Sequence, residues 1–205
     1  MTKLIDIKGF WNMNGNQSFN DNNMWEGKIL LEDDGWFEGI VVDSNSSYKG
    51  NRFIFGVYFP EKMIELYKVT PSIGIAPLVF HGIRDVKGYD GEFECVGMFE
   101  STPCGVSHII TQYSTLDKNN MDIEIEKLKK KIELYKGTLL NEITEVFYTK
   151  YLSSRKALCT YFERRINGDK LTEEEWDNYI DGLIVEDEEQ ELKVKQLLPD
   201  GDLPF

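Results

Sequence analysis

Cysteine and histidine are scarce in this chain, which has three cysteines and two histidines among 205 residues. Cys95, Cys104 and Cys159 are odd in number and form no C-x-x-C pair, so neither a disulfide framework nor a zinc ribbon is expected. Reduced thiols are the simpler interpretation. We therefore expect no cofactor and no bound metal.

Long apolar runs and excess basic charge are also missing. No stretch of roughly 18 consecutive apolar residues is present, and the N-terminal residues lack the apolar run of a signal peptide. We therefore expect a cytoplasmic protein. Lys and Arg number 23 against 36 Asp and Glu, a formal net charge of −13. Because nucleic acids and anionic membranes attract basic surfaces, we expect neither as a partner.

The excess of acidic residues is concentrated near the end of the chain. Residues 166–205 contain 13 acidic and 3 basic residues, whereas residues 117–165 contain 11 basic and 8 acidic ones. Charged segments of this kind are usually solvated helix faces. They also support an alternative function, a bacterial or phage-type regulatory protein that dimerises or binds a protein partner through its C-terminal helices.

The first half of the chain predicts eight β-strands separated by turns. Each predicted strand is rich in aromatic and β-branched residues, and the intervening segments contain Gly, Pro, Asn and Asp. The predicted strands are Leu4–Asn12, Trp25–Glu32, Trp36–Asp43, Arg52–Phe59, Met63–Thr70, Leu78–Val86, Gly91–Glu100 and Ser107–Ser114.

The short connections favour antiparallel neighbours, since a parallel crossover needs about a dozen residues. Eight strands are enough to close a small barrel, whereas an open sheet would leave two unpaired edges. We therefore predict an eight-stranded antiparallel up-and-down β-barrel over residues 1–116. A sandwich or a half-barrel capped by helices is the less favoured alternative.

Three of these segments, and the residues that lead into the strand beginning at Gly91, place an aromatic residue two positions before a glycine. Because side chains alternate along a strand, the ring and the glycine share one face. Interior residues of small barrels alternate between large and small, so these pairs are predicted to face the lumen. The pairs are Trp25 and Gly27, Phe37 and Gly39, Phe80 and Gly82, and Tyr89 and Gly91.

Residues 117–205 predict a helical region. One helix is expected to stop near Gly137, a second to run from Leu139 to Arg165, and a third to open at Thr172. The third and fourth predicted strands are apolar on both faces, so their outer side needs a cover. We predict an α+β fold in which the helical region packs on the barrel wall.

The Lys8-Gly9-Phe10-Trp11 segment of the first strand resembles the G-x-W signature of the calycins, which include lipocalins, fatty-acid-binding proteins and avidins. The resemblance covers residues 1–116. It implies a lipocalin-like barrel in which Trp11 closes one end, and it implies the fold more than a particular transported ligand.

Aromatic residues make up 13% of the chain and are concentrated in the predicted strands. A lumen lined by rings is either a filled core or a pocket for an apolar molecule. On the second interpretation, in which the lumen is a pocket, we predict a non-catalytic intracellular binding protein that holds a small apolar ligand. The predicted ligand-binding residues are Trp25, Phe37, Phe55 and Phe93, with His81 or Tyr58 offering a polar contact.

No arrangement of residues predicts catalysis. His81 and Cys95 have the chemistry of a base and a nucleophile, and with His108 and Cys104 they have that of metal ligands. Their spacing supports neither hypothesis, and we expect structural roles for all four. The sequence also lacks a phosphate-binding glycine loop between a strand and a helix.

Overall fold

The computed structural model describes residues 2–13, 23–44, 51–69, 78–96, 101–138, 152 and 155–168. It divides into two units, Met1–Thr144 and Glu145–Phe205. The strands are β1 (Lys3–Asn12), β2 (Met24–Leu31), β3 (Trp36–Asp43), β4 (Asn51–Phe59), β5 (Met63–Val69), β6 (Leu78–Asp85), β7 (Gly88–Val96) and β8 (Ser101–Tyr113), followed by the helices α1 (Lys118–Thr138) and α2 (Arg155–Ile166).

The eight strands form a closed antiparallel barrel, as the sequence predicted. Each strand pairs with the next in sequence, and β8 returns to pair with β1. Gly9 lies at this seam, opposite Trp25 of β2 on one side and Ile109 of β8 on the other. Every strand of the barrel is therefore hydrogen-bonded to a neighbouring strand on both sides.

The last hairpin differs from its prediction. The tight turn lies at Val86 and Lys87, so β7 begins at Gly88 in a segment that was predicted to be a turn. β8 begins at Ser101 and runs through Pro103 and Gly105, which had also predicted a turn. The register shifts between Phe93 and Glu94 opposite this segment. A β-bulge explains how turn-forming residues are accommodated inside a strand.

The lumen contains a single cluster of buried apolar side chains to which every strand contributes. The aromatic members of the four ring-and-glycine pairs all belong to it, which confirms their predicted orientation. The cluster comprises Ile5, Ile7, Trp25, Ile29, Leu31, Phe37, Val41, Ile54, Tyr58, Ile64, Leu66, Phe80, Tyr89, Phe93 and Ile109.

Glycines allow the rings to fit between closely spaced strands. The Trp25 ring lies directly over Gly9, and a methyl group added at Gly9 would overlap ring atoms Cζ2 and Cε2. A methyl group at Gly27 would meet the carbonyl oxygen of Ile40 on β3. These positions accept only glycine because a ring or a neighbouring backbone already occupies the space that Cβ needs.

The predicted lumen position of Phe55 is wrong. Phe55 lies on the outer wall, because its neighbour Ile54 pairs with Gly39 and belongs to the lumen cluster. The Phe55 ring stacks on Tyr67 with centroids 5.3 Å apart and approaches Trp36 at 6.0 Å. Since β4 is apolar on both faces, alternation alone could not tell which face was inside.

The helix α1 contacts the outer wall near β3. Lys136 Nζ lies 2.7 Å from Glu38 Oε2 on β3, and Lys131 Nζ donates to Asn51 Oδ1 at 3.1 Å. Leu128, Ile132 and Tyr135 are the buried residues of the helix. The predicted third helix lies outside the described residues, so packing of the whole helical region on the barrel stays a prediction.

We expect Gly9→Ala to destabilise the protein by about 1–3 kcal/mol, because the added methyl group overpacks the lumen against Trp25. Urea unfolding followed by circular dichroism measures the change. Lys3→Ala is the control, since Lys3 is an exposed residue of the same strand. Equal stability of Gly9→Ala and the wild type would contradict the packing described here.

Candidate functional site in the barrel lumen

The two ends of the barrel carry different chemistry. We call one the Trp11 end, where β1 finishes and β8 begins, and the other the Tyr58 end, where β4 finishes. From Trp11 inward, edge-to-face and stacked rings follow one another, with centroids 5.9 Å apart for Trp11 and Phe93, 5.4 Å for Phe93 and Phe80, and 5.7 Å for Phe80 and Trp25. This ring series is the apolar lining of the candidate site.

Two polar atoms in this part of the lumen lack hydrogen-bond partners among the described residues. They are Trp25 Nε1 and Ser107 Oγ, and their residues are 0% and 1% exposed. Most buried polar groups in proteins are paired, and an unpaired one costs about 1–3 kcal/mol. The two atoms are therefore candidates for contact with a bound polar group.

The strand pairing places both Trp25 and Ser107 beside β1. The Trp25 ring lies over Gly9 of β1, and Gly9 pairs with Ile109, two residues beyond Ser107 on β8. Ser107 itself pairs with Trp11, which packs against the lumen cluster. The indole N–H and the serine hydroxyl therefore lie on the β1 side of the lumen, toward the Trp11 end.

An ionic group of Asp43, Arg52 and Lys68 lies inside the Trp11 end. Their partners across the sheet are Trp25, Val41 and Ile54, all members of the lumen cluster. Such buried charges are tolerated when they are paired.

Both cations of this group contact the Asp43 carboxylate. Lys68 Nζ lies 2.5 Å from Asp43 Oδ1, and Arg52 Nε lies 3.1 Å from Asp43 Oδ2. Burial lowers the pKa of Lys68, and the Asp43 carboxylate opposes that shift. The sequence carries a signal for this group, because Asp43 and Lys68 follow an inward apolar residue at a spacing of two and Arg52 precedes one.

Hydroxyl groups close the Tyr58 end. Tyr89 Oη donates to Tyr58 Oη at 3.1 Å, Tyr58 Oη is hydrogen-bonded to Thr111 Oγ1 at 2.7 Å, and the Glu61 N–H donates to Tyr89 Oη at 3.0 Å. Burial raises the pKa of Tyr58. Tyr58 thus lies in the lumen as predicted, with its hydroxyl already hydrogen-bonded to two other side chains.

His81 lies on the outer wall, so its predicted lumen position was wrong. Its strand neighbour Phe80 points into the lumen, and its Nδ1 lies 3.2 Å from Glu65 Oε2 on β5. Tyr67 Oη donates to Glu65 Oε1 at 2.7 Å. The hydrogen bond that His81 donates to Glu65 raises the pKa of His81 despite partial burial, and the charges of Glu94 and Glu92 add to the effect.

Cys95 and Cys104 are neighbours across β7 and β8. Cys95 pairs with Leu78 and Cys104 packs against the lumen cluster, while their sulfur atoms lie 2.8 Å apart. His81 and Cys95 are on opposite faces of the wall, so they do not form a base and nucleophile pair. Nothing in their sequence spacing showed that the two cysteines meet.

Among the predicted ligand-binding residues, Trp25, Phe37, Tyr58 and Phe93 share the lumen, whereas Phe55 and His81 are outside it. His108 is also on the outer wall, paired with Asp90. Within the described ranges, no three His, Cys, Asp or Glu side chains are grouped to hold a metal ion. The acidic segment of the alternative function lies largely beyond the described residues.

No protein-family model matches the chain, and no curated protein or solved structure is significantly similar to it. The calycin resemblance therefore stays a prediction. In the part of the chain that the structure describes, neither helix has the length and apolar character needed to cross a membrane.

We expect Asp43→Asn to lower the free energy of unfolding by about 3 kcal/mol, because it leaves buried cations without their shared carboxylate. Asp6→Asn is the matched control: it breaks an exposed pair with Lys28 and should cost less than about 1 kcal/mol. Chemical denaturation of both variants makes the comparison. Similar losses in the two variants would show that Asp43 is not holding a buried ionic group.

We expect the His81 and Glu65 pair to stabilise the fold more strongly in mild acid. Because the folded-state pKa of His81 is above its ordinary value of 6.5, the contribution is complete below that value. It is lost as the pH rises through the folded-state pKa. The stability difference between the wild type and His81→Gln should therefore be larger at about pH 6 than at about pH 8.5.

Urea titrations at the two pH values measure this difference. In the background of Glu65→Gln, which keeps an acceptor for Tyr67 but removes the charge, the pH dependence should shrink. A His81→Gln effect that is the same at both pH values would disprove the coupling.

Proposed function

We propose that this is a non-catalytic intracellular binding protein whose lumen holds a small, largely apolar molecule carrying a hydrogen-bond acceptor. The observation that carries the proposal is the buried N–H of Trp25 beside the aromatic lining, which has no hydrogen-bond partner in the part of the chain that the structure describes. Small-molecule sites in proteins are mostly apolar, with a few polar groups that fix the orientation of the ligand.

The polar contacts of such a ligand follow from the two unpaired atoms. The Trp25 indole has only a donor, so it selects an acceptor such as a carbonyl, carboxylate or sulfonate oxygen. The Ser107 hydroxyl can donate or accept, and it can bind the same group or an adjacent one. Because both atoms are removed from water, a molecule without an acceptor would leave them unpaired and bind less well.

The two ends of the barrel suggest the direction of entry. At the Tyr58 end, the hydroxyls of Tyr58, Tyr89 and Thr111 bond one another inside the barrel. Opening this end would break these buried and partly buried hydrogen bonds together. We therefore propose, against the calycin resemblance in which Trp11 closes this end, that entry is at the Trp11 end, where Trp11 and Phe93 border the ring series.

The outer surface has a different role in this proposal. We propose that the helical region packs on the wall over β3 and β4, with α1 as the part nearest to it. The Lys136 and Glu38 ion pair and the buried face of Leu128 and Ile132 support this arrangement. A helical cover would let the aromatic outer wall remain buried without taking part in ligand binding.

Binding of 8-anilinonaphthalene-1-sulfonate tests the proposal, because this probe joins apolar rings to a sulfonate acceptor. Trp25→Phe keeps a ring and removes the N–H, and Ser107→Ala removes the hydroxyl. Each should weaken binding by roughly 5- to 10-fold, the size of one lost hydrogen bond. Fluorescence titration of the folded protein gives the dissociation constants.

Trp36→Phe is the matched control, since Trp36 is a buried tryptophan on the outer wall beside Phe55. It should leave the affinity unchanged. The proposal fails if the wild type does not bind the probe saturably, since the lumen would then be filled by its own side chains. It also fails if Trp36→Phe weakens binding as much as Trp25→Phe.

A further inference from the structure

Cys95 and Cys104 meet at an irregularity of the sheet. Phe93 pairs with Gly105 and Glu94 pairs with Pro103, which leaves Cys104 as the extra residue of β8. The Cys104 side chain is thereby directed to the Cys95 sulfur, at a distance of 2.8 Å. Bulges re-aim side chains in this way.

The separation of the two sulfur atoms is close to bonding. A disulfide bond is about 2.05 Å long, so the atoms need to approach by less than ~1 Å. Both cysteines are half-buried and the pair lies near the Trp11 end of the barrel. Cys159, the third cysteine, is buried in α2, which belongs to the other unit.

We propose that Cys95 and Cys104 are a redox site that forms a reversible disulfide by exchange with a low-molecular-weight disulfide. One protein thiolate attacks the small disulfide, forms a mixed disulfide and releases one small thiolate. The second protein thiolate then attacks the protein sulfur of the mixed disulfide and releases the other. The protein loses two electrons and two protons, and the small disulfide becomes two thiols.

The environment of the pair makes this exchange selective and slow. Burial is the main cause that raises the pKa of Cys95 to about 11, and the contact with Cys104 adds to the shift. Since the thiolate is the attacking species, little of Cys95 is reactive near neutral pH. Once a mixed disulfide forms, the adjacent sulfur resolves it within the protein, so the adduct should not accumulate.

The bond would join β7 to β8 at their bulge and enclose residues 96–103 in a covalent loop. It would therefore fix the rim of the Trp11 end without reaching the Tyr58 end. This inference does not depend on the proposed ligand, because the chemistry needs only the two thiols and the small disulfide.

The test incubates the full-length native protein with excess oxidised glutathione at about pH 8, where exchange is faster than at neutral pH. Samples are quenched with acid, and one half is weighed directly as intact protein while the other is alkylated and digested without reduction for peptide maps. We expect the mass to fall by two hydrogen atoms, with no glutathione retained on the pair, and non-reducing peptide maps to link the peptides of Cys95 and Cys104. Dithiothreitol should restore the original mass.

Cys159→Ser is the matched control and should form the bond as the wild type does. Cys95→Ser and Cys104→Ser should instead retain glutathione on the remaining thiol, because the resolving sulfur is missing. Stable glutathione on both cysteines of the wild type, a bond through Cys159, or failure of the native pair to react would overturn the proposal. The wild-type map decides the question even if a serine variant fails to fold.

Discussion

The contact between Trp25 and Gly9 is the constraint on which the barrel depends. Trp25 projects from β2 across β1, and it can do so only because Gly9 has no side chain. Gly9 is also paired with Ile109 of β8, so the same residue lies under the ring and at the closing seam. A large ring on one strand thus lies over a glycine of the neighbouring strand. This matching lets eight short strands enclose an apolar interior.

The buried polar groups at the two ends of that interior have different kinds of partner. At the Tyr58 end, neutral hydroxyls bond one another. At the Trp11 end, Asp43 binds two buried cations, and two thiols lie within contact distance. Buried ion pairs can usually be replaced by apolar residues without loss of stability, so stability does not explain the polar Trp11 end. This asymmetry is the structural reason for proposing ligand entry and thiol exchange at that end.

The outer wall shows that burial is a poor guide to the lumen in this fold. Trp36, Phe53 and Phe55 are almost fully buried, yet their rings contact one another outside the barrel. A strand that is apolar on both faces is typical of a sheet covered on both sides. The same ambiguity misplaced Phe55 among the lumen residues, and only the pairing of its neighbour Ile54 with Gly39 resolves it.

The sequence by itself determined the eight strands, their sequential antiparallel order, the inward orientation of the ring-and-glycine pairs and the lumen positions of Trp25, Phe37 and Phe93. These follow from local alternation and turn chemistry, which a single segment already contains. Tertiary structure alone decided the faces of Phe55, Tyr58 and His81, the ionic group around Asp43, the lack of partners for Trp25 Nε1 and Ser107 Oγ among the described residues, and the meeting of Cys95 with Cys104. Each of these depends on the register between strands, because a shift of one residue exchanges the inner and outer faces, and register is set by contacts between residues distant in the chain.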